Sequence, residues 1–168
     1  MGRKVRLASC VVVVAVATTG LSGCSTVGGW LGFNSKPIWV HQVAAATDCH
    51  ANIHQDSVQV LETPMAVGHL ELQRNFRLRF PGALPAGPFA LLDIAPRHDD
   101  ARGVSVSRQA FIHRGTLYLT ATYFPAVGAL PAGHPCVLVA LPAGDYDEVT
   151  VLDPSGEIKA SAERNRSG

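Results

Sequence analysis

The chain has 168 residues, with 14 basic against 13 acidic side chains and a formal net charge of +1. This near balance sets up no strong field for nucleic acid or an anionic surface, and the length suits one domain rather than several. Hydrophobic residues make up 47% of the chain and Gly and Pro number 16 and 11, which excludes a polar disordered chain and favours short elements separated by turns.

The first residues read as a secretion leader. Gly2-Arg3-Lys4-Val5-Arg6 is a basic start, residues 7–17 are an apolar core around Val11-Val12-Val13-Val14, and Thr18-Thr19-Gly20 leads to a small-residue site. The apolar run is too short to span a bilayer, so residues 1–23 are expected to be a removed signal peptide. Leu21-Ser22-Gly23-Cys24 resembles the lipobox of bacterial lipoproteins. A competing match at Leu7-Ala8-Ser9-Cys10 has almost no apolar segment before it. The resemblance implies cleavage between Gly23 and Cys24, a diacylglycerol thioether on Cys24, and usually a third acyl chain on its freed amine. One chain holds to a membrane only marginally, whereas two or more hold stably at about 0.8 kcal/mol per buried methylene. Ser25 follows the cysteine, where lipoproteins kept at the inner membrane typically carry Asp. The resemblance therefore implies an outer-membrane anchor facing the periplasm.

Removal of the leader takes Arg3, Lys4 and Arg6, leaving about 145 residues with a charge of about −2, enough for one proper core. Residues 24–36 are the anchor and a Gly-rich tether, with Trp30, Leu31 and Phe33 set in it to dip into the membrane interface or dock on the domain. Residues 37–154 are expected to be a β-rich domain, and residues 155–168 a polar, frayed tail.

Within the domain, residues 38–43 and 57–61 are β formers. His69-Leu70-Glu71-Leu72-Gln73 alternates polar and apolar, as does Asn75-Phe76-Arg77-Leu78-Arg79-Phe80, so both are expected as strands. Arg74, Arg77 and Arg79 then lie on a wet strand face rather than in an anion site. Residues 89–94 are a continuous apolar run, as in a strand buried on both faces. Strands are also expected at 104–107, 115–124, 136–141 and 148–152, with a hairpin turn at His113-Arg114-Gly115. The best helix candidate is 44–53, and it lacks caps. The expected fold is all-β and mainly antiparallel, a small sandwich or barrel-like domain.

Gly82-Ala83-Leu84-Pro85-Ala86-Gly87 recurs as Gly128-Ala129-Leu130-Pro131-Ala132-Gly133, and in part at Leu141-Pro142-Ala143-Gly144. One hexapeptide does not establish a duplication, and reuse of a convenient turn explains it.

Two cysteines remain beyond the anchor, Cys49 and Cys136. In an oxidising envelope an even pair is expected to bridge, closing a loop of about 87 positions worth about 4–5 kcal/mol in the chain-entropy model. The alternative is that Cys136, inside Pro135-Cys136-Val137-Leu138-Val139, is a small buried hydrophobe. Seven histidines raise a metal hypothesis. The tightest group is Cys49-His50-x-x-x-His54, flanked by Asp48 and Asp56, where His50 and His54 would share a helix face. A metal needs three or four convergent ligands, so no metal site is assigned, with His50 and His54 kept as candidates. Asp99-Asp100 and Asp145-x-Asp147-Glu148 read as solvated turns, with a weak calcium loop at 145–148 as the rival reading. No serine-nucleophile elbow, Ser-x-x-Lys, His-Glu-x-x-His or phosphate-binding loop is present, so neither catalytic residues nor a cofactor are assigned.

From Ala101-Arg102-Gly103-Val104-Ser105-Val106 the chain resembles the domain of PrcB-type protease-complex subunits. The matching pieces are the run 89–94, Gly103-Val104-Ser105-Val106, Gly115-Thr116-Leu117-Tyr118-Leu119 and Pro135-Cys136-Val137-Leu138-Val139-Ala140-Leu141-Pro142. Arg102 stands where that pattern has Gly, and Val104 where it has an aromatic residue. Over residues 89–151 the resemblance implies a small β domain acting through protein contacts without catalysis.

The expected function is that of an envelope lipoprotein whose non-catalytic β domain binds or scaffolds another envelope protein, a protease among the candidates. The alternatives are a metal- or small-ligand-binding lipoprotein using His50 and His54, and an envelope hydrolase with a dispersed site.

Overall fold

A computed structural model describes residues 37–51, 53–95, 102–125 and 134–165. The leader, Cys24, the tether, Asp99-Asp100 and the second copy of the hexapeptide lie outside them. Among the described residues, no helix is long and apolar enough to cross a membrane.

Among the described residues, ten strands and one helix follow in chain order. They are β1 (Ile38–Trp39), β2 (His41–Ala46), β3 (Ser57–Leu61), α1 (Pro64–Arg74), β4 (Phe89–Asp93), β5 (Arg102–Val106), β6 (Gln109–His113), β7 (Thr116–Pro125), β8 (Cys136–Ala140), β9 (Glu148–Leu152) and β10 (Ile158–Glu163). One sheet runs β1-β6-β7-β9-β10, with β5 also on β7; the other runs β2-β8-β4-β3. All pairings are antiparallel except β7 with β9. β5 and β6 follow one another along β7, separated by Ser107 and Arg108. The expected turn joins β6 to β7: Arg114 and Gly115 both take positive φ, 48° and 81°, as a two-residue hairpin with type I′ geometry requires.

The sheets face each other as a β-sandwich. Ala90 and Leu92 of β4 and Val137 and Val139 of β8 meet Leu117 and Leu119 of β7 and Val149 and Val151 of β9 in the first core. The opposite face of the four-stranded sheet is also covered. Phe89, Leu91, Cys136 and Leu138 pack there against Val67 and Leu70 of α1, Phe76 and Leu78. This double burial is why β4 and β8 read as continuous apolar runs instead of alternating ones.

Four expectations change. Residues 69–73 are not a strand, because they belong to α1. Thr63 caps that helix, its hydroxyl oxygen accepting a hydrogen bond from Ala66 N at 3.2 Å, Pro64 begins it, and Asn75 ends it in the left-handed conformation at φ 52°. Leu70 is buried and Leu72 exposed, as helical spacing demands. Residues 76–80 do alternate, with Phe76 and Leu78 inward and Arg77 and Arg79 outward, but they join no sheet. The Glu71 carboxylate instead accepts from Leu78 N. The tail is not frayed throughout: Ile158–Glu163 forms β10 on β9. The helix candidate at 44–53 shows no helix among its described residues, since β2 continues to Ala46.

Candidate functional site

At one end of the four-stranded sheet, Ala46, Cys136, Asp93 and Ser57 lie side by side across β2, β8, β4 and β3. The alternation of β4 turns Asp93 to the same face as Phe89 and Leu91, under α1. Cys49, in the loop after β2, lies over this row and is bridged to Cys136 with a Cα–Cα separation of 5.9 Å. The expected disulfide is therefore present. Cys49 N also donates to His134 O at 2.8 Å, which fixes the loop against the start of β8.

Asp93 is 0% exposed. A carboxylate in such a place must be paired. Arg74, in the last turn of α1, supplies the partner: its Nη1 donates to both carboxylate oxygens, at 3.0 and 2.8 Å. Its Nη2 reaches Gln59 Oε1 at 3.4 Å. Burial pushes the Asp93 carboxyl above the ordinary range, and the hydrogen bonds and charge of Arg74 pull back against it. The expectation of three arginines on a wet strand face thus fails: Arg77 and Arg79 are exposed but lie on no strand, and Arg74 turns inward from a helix. Its helical position, invisible while residues 69–80 read as strands, decides this.

Asp48 organises the rim. Its Oδ1 accepts from His50 N at 2.9 Å and from His134 N at 3.3 Å. These backbone bonds, that to His50 foremost, hold its carboxyl below the usual range. His50 takes a positive φ of 49° and is exposed; His54 is exposed too. They share no helix face, since none of the described residues around them is helical. Among the described residues, the group of potential ligands that converges is Cys49, Asp93 and Cys136, all buried, with Sγ and carboxylate oxygen atoms within 4.8 Å of one another. Sequence spacing gives no hint of Asp93, because it lies 44 positions from Cys49 and reads as one polar residue in an apolar run. Of the acidic turn, Asp145 and Asp147 are exposed, while Glu148 Oε2 accepts from Thr116 Oγ1 at 2.9 Å.

A second feature lies on the outside of α1. Met65 and Leu72 are 71% and 77% exposed. Seven residues apart, they fall on one side of the helix. Gly68 lies between them, and a Cβ there would meet nothing within 4 Å.

No family profile, curated protein or solved structure matches the chain.

Proposed function

We propose that this chain is a lipid-anchored protein of the bacterial envelope whose β-sandwich docks another envelope protein through the outer face of α1. The observation that carries the reading is the exposed pair Met65 and Leu72 on one helical face, with the inner face already spent on Val67 and Leu70. Met65 and Leu72 are the most exposed of the large apolar side chains among the described residues, above Trp39 and Ile158, and an apolar helix face is a recurrent way to engage a partner. Gly68 fits the same use. Glycine in mid-helix costs about 1 kcal/mol relative to Ala and gains nothing from the domain's own packing, whereas it lets a partner approach the helix closely. The leader and Leu21-Ser22-Gly23-Cys24 support the anchor and its periplasm-facing outer-membrane location. The likeness of residues 89–151 to PrcB-type subunits supports action through protein contacts, with a protease as one class of partner.

The test is affinity purification of the tagged protein from cross-linked intact cells, alongside the Met65→Glu/Leu72→Glu double variant. Both positions are solvent-exposed, so the variant should fold. A dominant envelope protein captured by the wild type and reduced at least about tenfold in the variant is the expected result; tenfold corresponds to about 1.4 kcal/mol. Equal capture by both proteins would contradict the assignment of α1.

A further inference from the structure

We propose that, once its disulfide is reduced, the buried row Cys49–Asp93–Cys136 binds one borderline-soft divalent cation of the Zn²⁺ type, with His134 as fourth ligand. Three observations converge. First, the two sulfurs and an Asp93 oxygen already lie within 4.8 Å of one another, while ligand atoms around tetrahedral zinc are separated by about 3.5–3.8 Å. Cleaving the S–S bond moves the sulfurs apart toward that spacing, and the carboxylate has about 1 Å to close. Second, His134 Nδ1 is buried with no hydrogen-bond partner among the described residues. His134 is two residues from Cys136, its backbone oxygen holds Cys49 N, and its ring is near enough to act electrostatically on Asp93. A buried nitrogen with no partner is a cost that a metal would remove.

Third, charge is conserved. In the oxidised protein Asp93 and Arg74 neutralise each other. In the reduced, loaded protein two thiolates and Asp93 supply three negative charges against Arg74 and a divalent cation. The buried site is neutral in both states, which a low-dielectric interior strongly favours. A phosphine reductant and water convert the disulfide to two thiols and a phosphine oxide. The cation then displaces the two thiol protons as it forms two metal–sulfur bonds. The mixed sulfur, nitrogen and oxygen donor set suits zinc and excludes calcium and magnesium, which take oxygen alone. This site differs from the exposed pair His50 and His54; His134 also lies outside the group that converges within 4.8 Å, so its ring must move inward to complete the site.

The experiment uses the full-length protein in detergent, reduced with a phosphine under anaerobic conditions and titrated with Co²⁺. The expected result is one equivalent bound, with a thiolate-to-cobalt charge-transfer band, tetrahedral d–d bands and a raised melting temperature, all of the bands lost on adding Zn²⁺. The oxidised protein should show no band. Asp93→Asn and His134→Gln should each weaken binding at least about tenfold, no less than the loss of an outer-shell partner typically costs. Cys49→Ser should lose the two-thiolate signature. Asp93→Asn leaves Arg74 without its partner and risks misfolding, but His134→Gln breaks no ion pair, so its result stands alone. A reduced protein that shows no charge-transfer band, folded or refolding in Co²⁺, would overturn the proposal. So would unchanged affinity in a folded His134→Gln variant.

Discussion

Arg74 and Asp93 show how much one side chain can be asked to do. Asp93 is fully buried at one end of the four-stranded sheet, and the Arg74 guanidinium is what makes its burial tolerable. Replacing such a pair with apolar residues can be neutral, but removing one partner leaves a bare charge in the interior. Arg74→Ala is therefore expected to cost about 3–5 kcal/mol, read as a shift in the denaturation midpoint. A loss under 1 kcal/mol would show that Asp93 is not buried as described. Asp153, just after β9, behaves in the opposite way. The Ser155 hydroxyl, foremost, and the backbone N–H groups of Glu157 and Ser155 bring its carboxyl down to about 2. Its folded pKa is depressed, so its contribution is fully present above the ordinary value of 3.8 and is lost as pH falls toward about 2. Ser155→Ala should move the Asp153 titration upward in a carboxyl-detected NMR experiment, and an unmoved titration would refute this cause. Neither role is legible in the sequence. Asp93 is one polar letter among Leu91, Leu92 and Ile94, and its meaning depends on a helix 19 positions earlier.

The elements divide into those whose pattern reports burial plainly and those where two periods compete. β4 and β8 read as doubly buried strands because every side chain meets a covered face. The β6–β7 hairpin is legible from Arg114-Gly115, since few residues accept positive φ in succession. Residues 63–75 mislead because Leu70 and Leu72 mimic alternation, while the true signals, Thr63-Pro64 at the start and Asn75 at the end, are caps rather than periodicity. Only Val67 and Leu70 of α1 are buried, too few to print a period of 3.6. β10 is missed for a related reason: its burial is intermediate and its composition polar, so pairing with β9, not sequence, defines it. Gly68 gives α1 a specific prediction. Since an added Cβ meets nothing, Gly68→Ala should raise stability by about 0.5–1 kcal/mol through better helix propensity. A destabilised variant would mean that the helix face is crowded within the domain itself.

At the scale of the molecule, one tie fastens a loop within a sheet and another joins the two sheets. The Cys49–Cys136 bridge fastens the loop after β2 to β8. Arg164, just past β10, donates to Glu62 just after β3 at 3.0 Å and to Gly144 O at 3.1 Å, and its guanidinium lies 4.6 Å from the centre of the Tyr146 ring. The all-β class was legible because strand lengths, turns and apolar runs all agreed. The helix layer was not, and it is this layer that carries both the ion pair over the disulfide and the exposed apolar face. That face is the proposed docking surface. Its most direct test places a photo-cross-linking amino acid at position 72 in intact cells, with position 155 in the exposed β9–β10 turn as control. One discrete adduct is expected from position 72 and none from position 155. No adduct from position 72, or the same adducts from both, would contradict it.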